Sequence, residues 1–271
     1  MTADSGRIVL DEHLRGLLWR GRELGPRERA VVAAVKEFPY ATGRDVLDEW
    51  FRYDVPGLAP LAFLGYPDEL NPTAAELREL LKQGICPVAM LAEVRPEGIP
   101  LDEAEPLTDG EVVRLGLALC DTVIGWAQLR EHTSVGLRPE TVYIVGERGN
   151  RIFTGATPRV YALIGDQDYY SSFSSAVYAA PASPSSMQVD LVDATFIVAL
   201  VLWFAATREH PYQLPHCRNE LDNMQRNARR AFTGPPELGA LLEAVLVFDE
   251  TRRMTAHELR TALADLARWT V

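Results

Sequence analysis

The apolar residues of this chain change their spacing after the first third. Up to Arg95 they come in short runs broken by Gly, Pro and charged residues, the pattern of strands. Arg7 to Leu14 and Leu17 to Arg22 read as two strands separated by Arg15-Gly16. Ala30 to Phe38 is a valine-rich run that suits a central strand, and Leu58 to Leu64 and Pro87 to Val94 are further strands. Two helices fall between them. One covers Arg44 to Tyr53 and is stopped by Pro56-Gly57. The other opens on the capping box Thr73-Ala74-Ala75-Glu76 and ends near Gly84. Arg95-Pro96-Glu97-Gly98 reads as a turn or hinge.

Beyond Arg95 the helical period dominates. A second capping box, Thr108 to Glu111, opens a helix with Val112, Leu115, Leu119, Val123 and Trp126 on one face. Val142 to Val145 and Arg151 to Thr154 read as short strands joined by a turn at Gly146 to Asn150. Gly165 to Ser186 is rich in Ser, Tyr and Ala without a period, and predicts a long exposed loop. Val192 to Thr207 predicts a buried helix. Its apolar run, Thr195 to Ala206, falls short of the roughly 20 residues that a membrane span needs. Thr255 to Glu258 caps a last helix with Leu259, Leu263 and Leu266 on one face. The pattern predicts an α+β chain: a small antiparallel-sheet lobe over residues 1–95, with a helical insertion near 73–84, and a larger helical lobe over 96–271. Ligands tend to bind at the boundary of such lobes.

Charge and cysteine usage narrow the function classes. The 271 residues carry a net charge of −11, which argues against a nucleic-acid partner, because phosphate backbones select basic surfaces. Cys86, Cys120 and Cys217 are odd in number and form no CxxC pair, so neither a disulfide framework nor a zinc knuckle is expected. A reducing cytoplasm suits such a chain. The N-terminal residues Met1 to Arg7 are polar and hold no apolar signal core. Lys36 and Lys82 are the only lysines among many arginines.

Five strings resemble the Hanks-type serine/threonine protein kinases, in the right order and over nearly the whole chain. Val32-Ala33-Ala34-Val35-Lys36 is similar to the Val-Ala-Ile-Lys strand, and Leu137-Arg138-Pro139-Glu140 to the Leu-Lys-Pro-Glu of the catalytic loop. Tyr178-Ala179-Ala180-Pro181 resembles the Ala-Pro-Glu end of the activation segment. Asp193 opens the apolar helix where kinases place a buried aspartate. Asp249 to Ala256 resembles the Asp-Pro-x-x-Arg-Pro-Ser/Thr-Ala run before the last helix. The resemblance implies a two-lobed kinase-like fold, and the bias toward arginine suits a GC-rich bacterial genome.

The same resemblance implies that phosphotransfer is lost. Kinases need a base aspartate, a metal-holding aspartate and asparagine, and a glycine-rich cover. Here Gly136 falls at the base, Thr141 replaces the asparagine, and no Asp or Glu occurs between Ile152 and Val160, the stretch around Gly155 that covers the metal aspartate. The glycine-rich region is shortened to Gly16 and Gly21, with Leu17, Leu18 and Trp19 where backbone would approach phosphate. Lys36 matches the phosphate-pairing lysine, and Asp45, Asp48 and Glu49 are open alternatives for its partner. Ala182 replaces the Ala-Pro-Glu glutamate, so Arg253, its usual partner, must pair elsewhere or face solvent.

The reading is a degenerate member, a pseudokinase that scaffolds or regulates another protein, with no catalytic residues, no resident cofactor and no magnesium. One alternative binds ATP through Lys36 and the hinge near Glu93 as a responsive switch. Another is an unconventional transferase. Arg218, Arg226, Arg229 and Arg230 form a basic stretch that is either a solvated helix face or a docking surface for an acidic partner. His210, His216 and Cys217 lack a fourth ligand and a zinc spacing. Tyr169, Tyr170 and the serines after them are either phosphate acceptors or ordinary loop residues. Monomer and homodimer both stay open, and no membrane partner is expected.

Overall fold

Val31, Val32, Ala33 and Ala34 are all buried, so the run that contains them is covered on both faces and makes a central strand. In the computed structural model this strand is β3, Arg29–Glu37. The structure describes residues 7–15, 18–37, 54–65, 79, 82–83, 88–128, 137–160, 191–212 and 229–268. The expected helix at 44–53, the loop at 165–186 and most of the 73–84 helix lie outside these residues.

The chain divides into two compact units. The first holds Met1–Asp54, Ala59–Arg95 and Arg159–Gly165, and the second the remainder. In the first unit, β1 (Arg7–Arg15), β2 (Leu18–Leu24), β3, β4 (Leu61–Gly65) and β5 (Val88–Val94) form one antiparallel sheet in the order β1-β2-β3-β5-β4. Val32 stands opposite Glu93, and Ala34 opposite Leu91. Val31, Ala33, Met90 and Ala92 form an apolar cluster against Ile8, Leu10, Val35 and Phe63. The edge strand β1 carries charge: Arg22 donates to Asp11 at 2.7 and 2.9 Å, and Arg20 to Glu12 at 3.3 Å. Exposed pairs of this kind add little stability, but they discourage pairing with another strand.

The run predicted as one strand from Leu58 to Leu64 is divided. Pro56-Gly57 makes a turn closed by Leu58 N–H on the Val55 carbonyl, and Leu58 bridges to Ala156 in the second unit, of which it is part. Pro60 has no N–H for a ladder, and β4 begins after it.

In the second unit α1 (Asp109–Ala127) buries the five predicted apolar positions. The helix α2 (Leu191–Thr207) is apolar all round, with Phe196, Leu200, Leu202 and Trp203 buried. Burying each such side chain is worth about 1.5–3 kcal/mol. No helix among the described residues is long and apolar enough to cross a membrane. The last helix, α4 (Ala256–Ala267), starts at the predicted Thr255–Glu258 box, with Leu259 and Leu263 buried and Leu266 half-buried. The three helices meet at Gly116, where a Cβ would lie 2.7 Å from Leu263 and 2.9 Å from Leu202. A shorter helix, α3 (Pro236–Val245), packs against α2.

The hairpin predicted at 142–154 is present as β7 (Val142–Val145) and β8 (Ile152–Ala156), joined on its other side by the two-residue strand β6 (Ile99–Pro100). Gly98, at the end of the predicted turn, has φ +95, and a Cβ there would lie 2.0 Å from the Ile144 carbonyl oxygen. The turn therefore needs glycine for its backbone angle and for the close approach of β7.

Candidate functional site

Glu93 lies near the end of β5, with a neighbouring strand on each side. Its side chain is fully buried and meets a residue 66 positions away, Arg159. Arg159 Nη1 donates to Glu93 Oε1 at 3.1 Å and to the Ala59 carbonyl at 2.7 Å. The Val160 N–H donates to Glu93 Oε2 at 3.1 Å. All four residues belong to the first unit. Burial pushes the Glu93 carboxyl up to about 7, against the pull of the Arg159 guanidinium and the backbone N–H groups of Val160 and Arg159. Arg159 immediately precedes the apolar sequence Val160 to Ile164, and a cation at the edge of such a run hints at a buried partner without naming it.

The other predicted positions are distributed as follows. Lys36 stands on β3 opposite Ala89, two residues beyond Ala34. Thr141, in the place where the resemblance puts a metal-holding asparagine, is fully buried. Its hydroxyl accepts from the Arg138 N–H at 2.9 Å and donates to the Arg138 carbonyl at 3.0 Å, closing a one-turn 3-10 helix, Pro139–Thr141. Gly155 lies in β8 opposite Tyr143. Gly136 and the loop before it lie outside the described residues.

Arg253 is buried and its guanidinium is paired with Asp193 in the first turn of α2. Its Nε and Nη2 donate to the Val247 and Phe248 carbonyls at 2.8 and 2.9 Å, and it sits over the Phe196 ring at 5.2 Å. Of the two outcomes expected for Arg253, pairing elsewhere is the one found.

Of the four candidate docking arginines, Arg218 and Arg226 lie outside the described residues. Arg229 donates to the Glu243 carbonyl near the end of α3 at 2.9 Å, and Arg230 pairs with Glu209 at 2.8 Å. His210 Nδ1 accepts from the Tyr212 N–H at 3.2 Å; His216 and Cys217 are not described. Cys120 is buried in α1, and burial pushes its thiol up to about 12, far from a reactive thiolate. Among the described residues no group of three or more His, Cys, Asp or Glu is arranged to hold a metal ion.

Among the described residues the arrangement offers two buried ion pairs, each fixing a distant segment, and a one-turn 3-10 helix closed by its own Thr141 hydroxyl. No protein-family model matches this sequence, and no curated protein matches it.

Proposed function

We propose that this chain is a kinase-like pseudokinase that transfers no phosphate and serves as a scaffold or regulator for another protein. An antiparallel sheet followed by helices supports the kinase-like part, together with the five strings in their order. The observation that carries the non-catalytic part is the Arg138–Thr141 turn. Where a kinase would offer a side-chain oxygen to magnesium, the Thr141 hydroxyl is buried and spent on the Arg138 backbone. Gly136 has no group to accept a proton, and the stretch from Ile152 to Val160 supplies no carboxylate. Magnesium needs such oxygens, and the transferring phosphate needs the charge they organise.

The test is a thermal-shift titration of the full chain with ATP, with and without magnesium, beside Lys36→Ala. The expected result is no saturable shift and no transfer of labelled phosphate to any protein. A saturable shift lost in Lys36→Ala would replace this reading with the ATP-responsive one. Labelled transfer would overturn the non-catalytic reading altogether.

A further inference from the structure

Glu93 and Arg159 form an ion pair from which water is excluded on both sides: their side chains are 0% and 2% exposed. Such a pair is a poor route to stability. Taking the two ions out of water costs several kcal/mol each, and apolar residues of equal volume usually serve as well. What the pair supplies is geometry. The acceptors are fixed by the sheet: Glu93 sits in β5, and the Ala59 carbonyl lies just before β4, where the Pro60 carbonyl is tied to the Val94 N–H at 2.8 Å. The donor comes from the chain after β8. A guanidinium reaches carboxylate and carbonyl together, whereas an ammonium is a compact, strongly hydrated point charge. Glu93 stands opposite Val32, and Leu91 opposite Ala34. Directly opposed residues share a face, so Glu93 points away from the Val31–Ala33–Met90–Ala92 cluster on the other side.

We propose that Glu93 and the Ala59 carbonyl form an arginine socket, and that Arg159 seated in it is a releasable latch holding Arg159 and Val160 over the Val32–Ala34 face of the sheet. The chemical class that competes for the socket is a guanidinium group, such as a peptide arginine. The inference goes beyond the non-catalytic reading and stands or falls separately from it.

Amide hydrogen exchange of the unaltered full chain tests the latch directly. The Val160 N–H, which donates to Glu93, is expected to exchange through a local opening that low urea does not accelerate, about tenfold or more faster than the amides of Val32 and Leu91. Exchange of Val160 only by global unfolding, at the rate of Val32 and Leu91, overturns the proposal. In Arg159→Ala the Val160 amide is expected to lose a further tenfold or so of protection while Val32 keeps its own. Millimolar methylguanidinium restores that protection and methylammonium does not. Unchanged Val160 exchange in Arg159→Ala, or equal rescue by both cations, denies the socket. Should Arg159→Ala fail to fold, the measurement on the unaltered chain decides alone.

Discussion

The guanidinium of Arg253 closes on the carboxylate of Asp193, sixty residues earlier, and ties the connection between α3 and α4 to the first turn of α2. Removing either partner leaves the other charged and buried. Asp193→Ala and Arg253→Ala are each expected to cost about 3–5 kcal/mol. The double variant is expected to cost much less than the sum, because each change removes the same pair. Urea unfolding of the four chains measures this; additive costs would mean that the two residues act independently.

Glu111 joins two distant elements. One carboxylate oxygen accepts from the Thr108 N–H and hydroxyl at 2.8 and 3.0 Å, and the other from the Gly149 and Arg151 N–H groups at 2.7 and 2.9 Å. Burial pushes this carboxyl up, but the hydrogen bonds outweigh it and hold the group below its ordinary value. Its contribution is therefore full above the unfolded value near 4.5 and is lost as pH falls through the lower folded value. Glu111→Gln is expected to cost about 1–3 kcal/mol at pH 7. The deficit shrinks toward pH 3 in thermal melts; a deficit independent of pH would sink the ionic account.

Glu93 has the opposite sign. Its folded value is raised to about 7, above the ordinary 4.5, with Arg159 the facing charge from the segment after β8. Between these values folding takes up a proton, so the stability contributed by this group falls as pH rises from 4.5 through 7 and is level above that. The stability difference between the native chain and Glu93→Gln should decline over that window. A rise over the same window would show that Arg159 holds the carboxylate below its ordinary range.

Gly98→Ala is expected to destabilise the second unit by about 2–4 kcal/mol, from a positive φ in a residue with a Cβ and from the clash with the Ile144 carbonyl. Gly149, with φ +94 and open space around it, provides the control. Alanine there bears only the left-handed backbone cost, about 1–2 kcal/mol. Equal losses at the two positions would remove the steric part of the argument.

Local signals carried most of the fold. Two capping boxes opened α1 and α4 where expected, and the 3.6-residue period chose their buried faces. The valine-rich run became β3, and the two strands around Gly146 to Asn150 became β7 and β8. Most of what was not legible had either too short a span or too distant a cause. β6 is two residues long and includes a proline, so it has no period of its own. α3 is the exception, because its signals are local: Pro235-Pro236 starts it, and Leu238, Leu242 and Val245 line its buried face. The division of Leu58 from β4 depends on which unit each residue joins. At the candidate site, the fate of Arg253 was narrowed to two outcomes, but the pairing of Glu93 with Arg159 spans 66 residues, and nothing local names either partner. Gly136, the 165–186 loop, Arg218 and Arg226 lie outside the described residues.

The all-round apolar surface of α2 has a consequence for synthesis. Among the elements that cover it, Phe232, whose ring meets Trp203 at 4.9 Å, and the helices α3 and α4 all lie later in the chain. A ribosome adding about 5–20 residues per second needs roughly 3–12 s to travel from the end of α2 to the end of α4. During that interval the most apolar of the described helices has only its earlier neighbours, such as α1, to shelter it. Its shelter is complete only when α4 arrives, so the unfinished chain is most exposed to aggregation over that stretch.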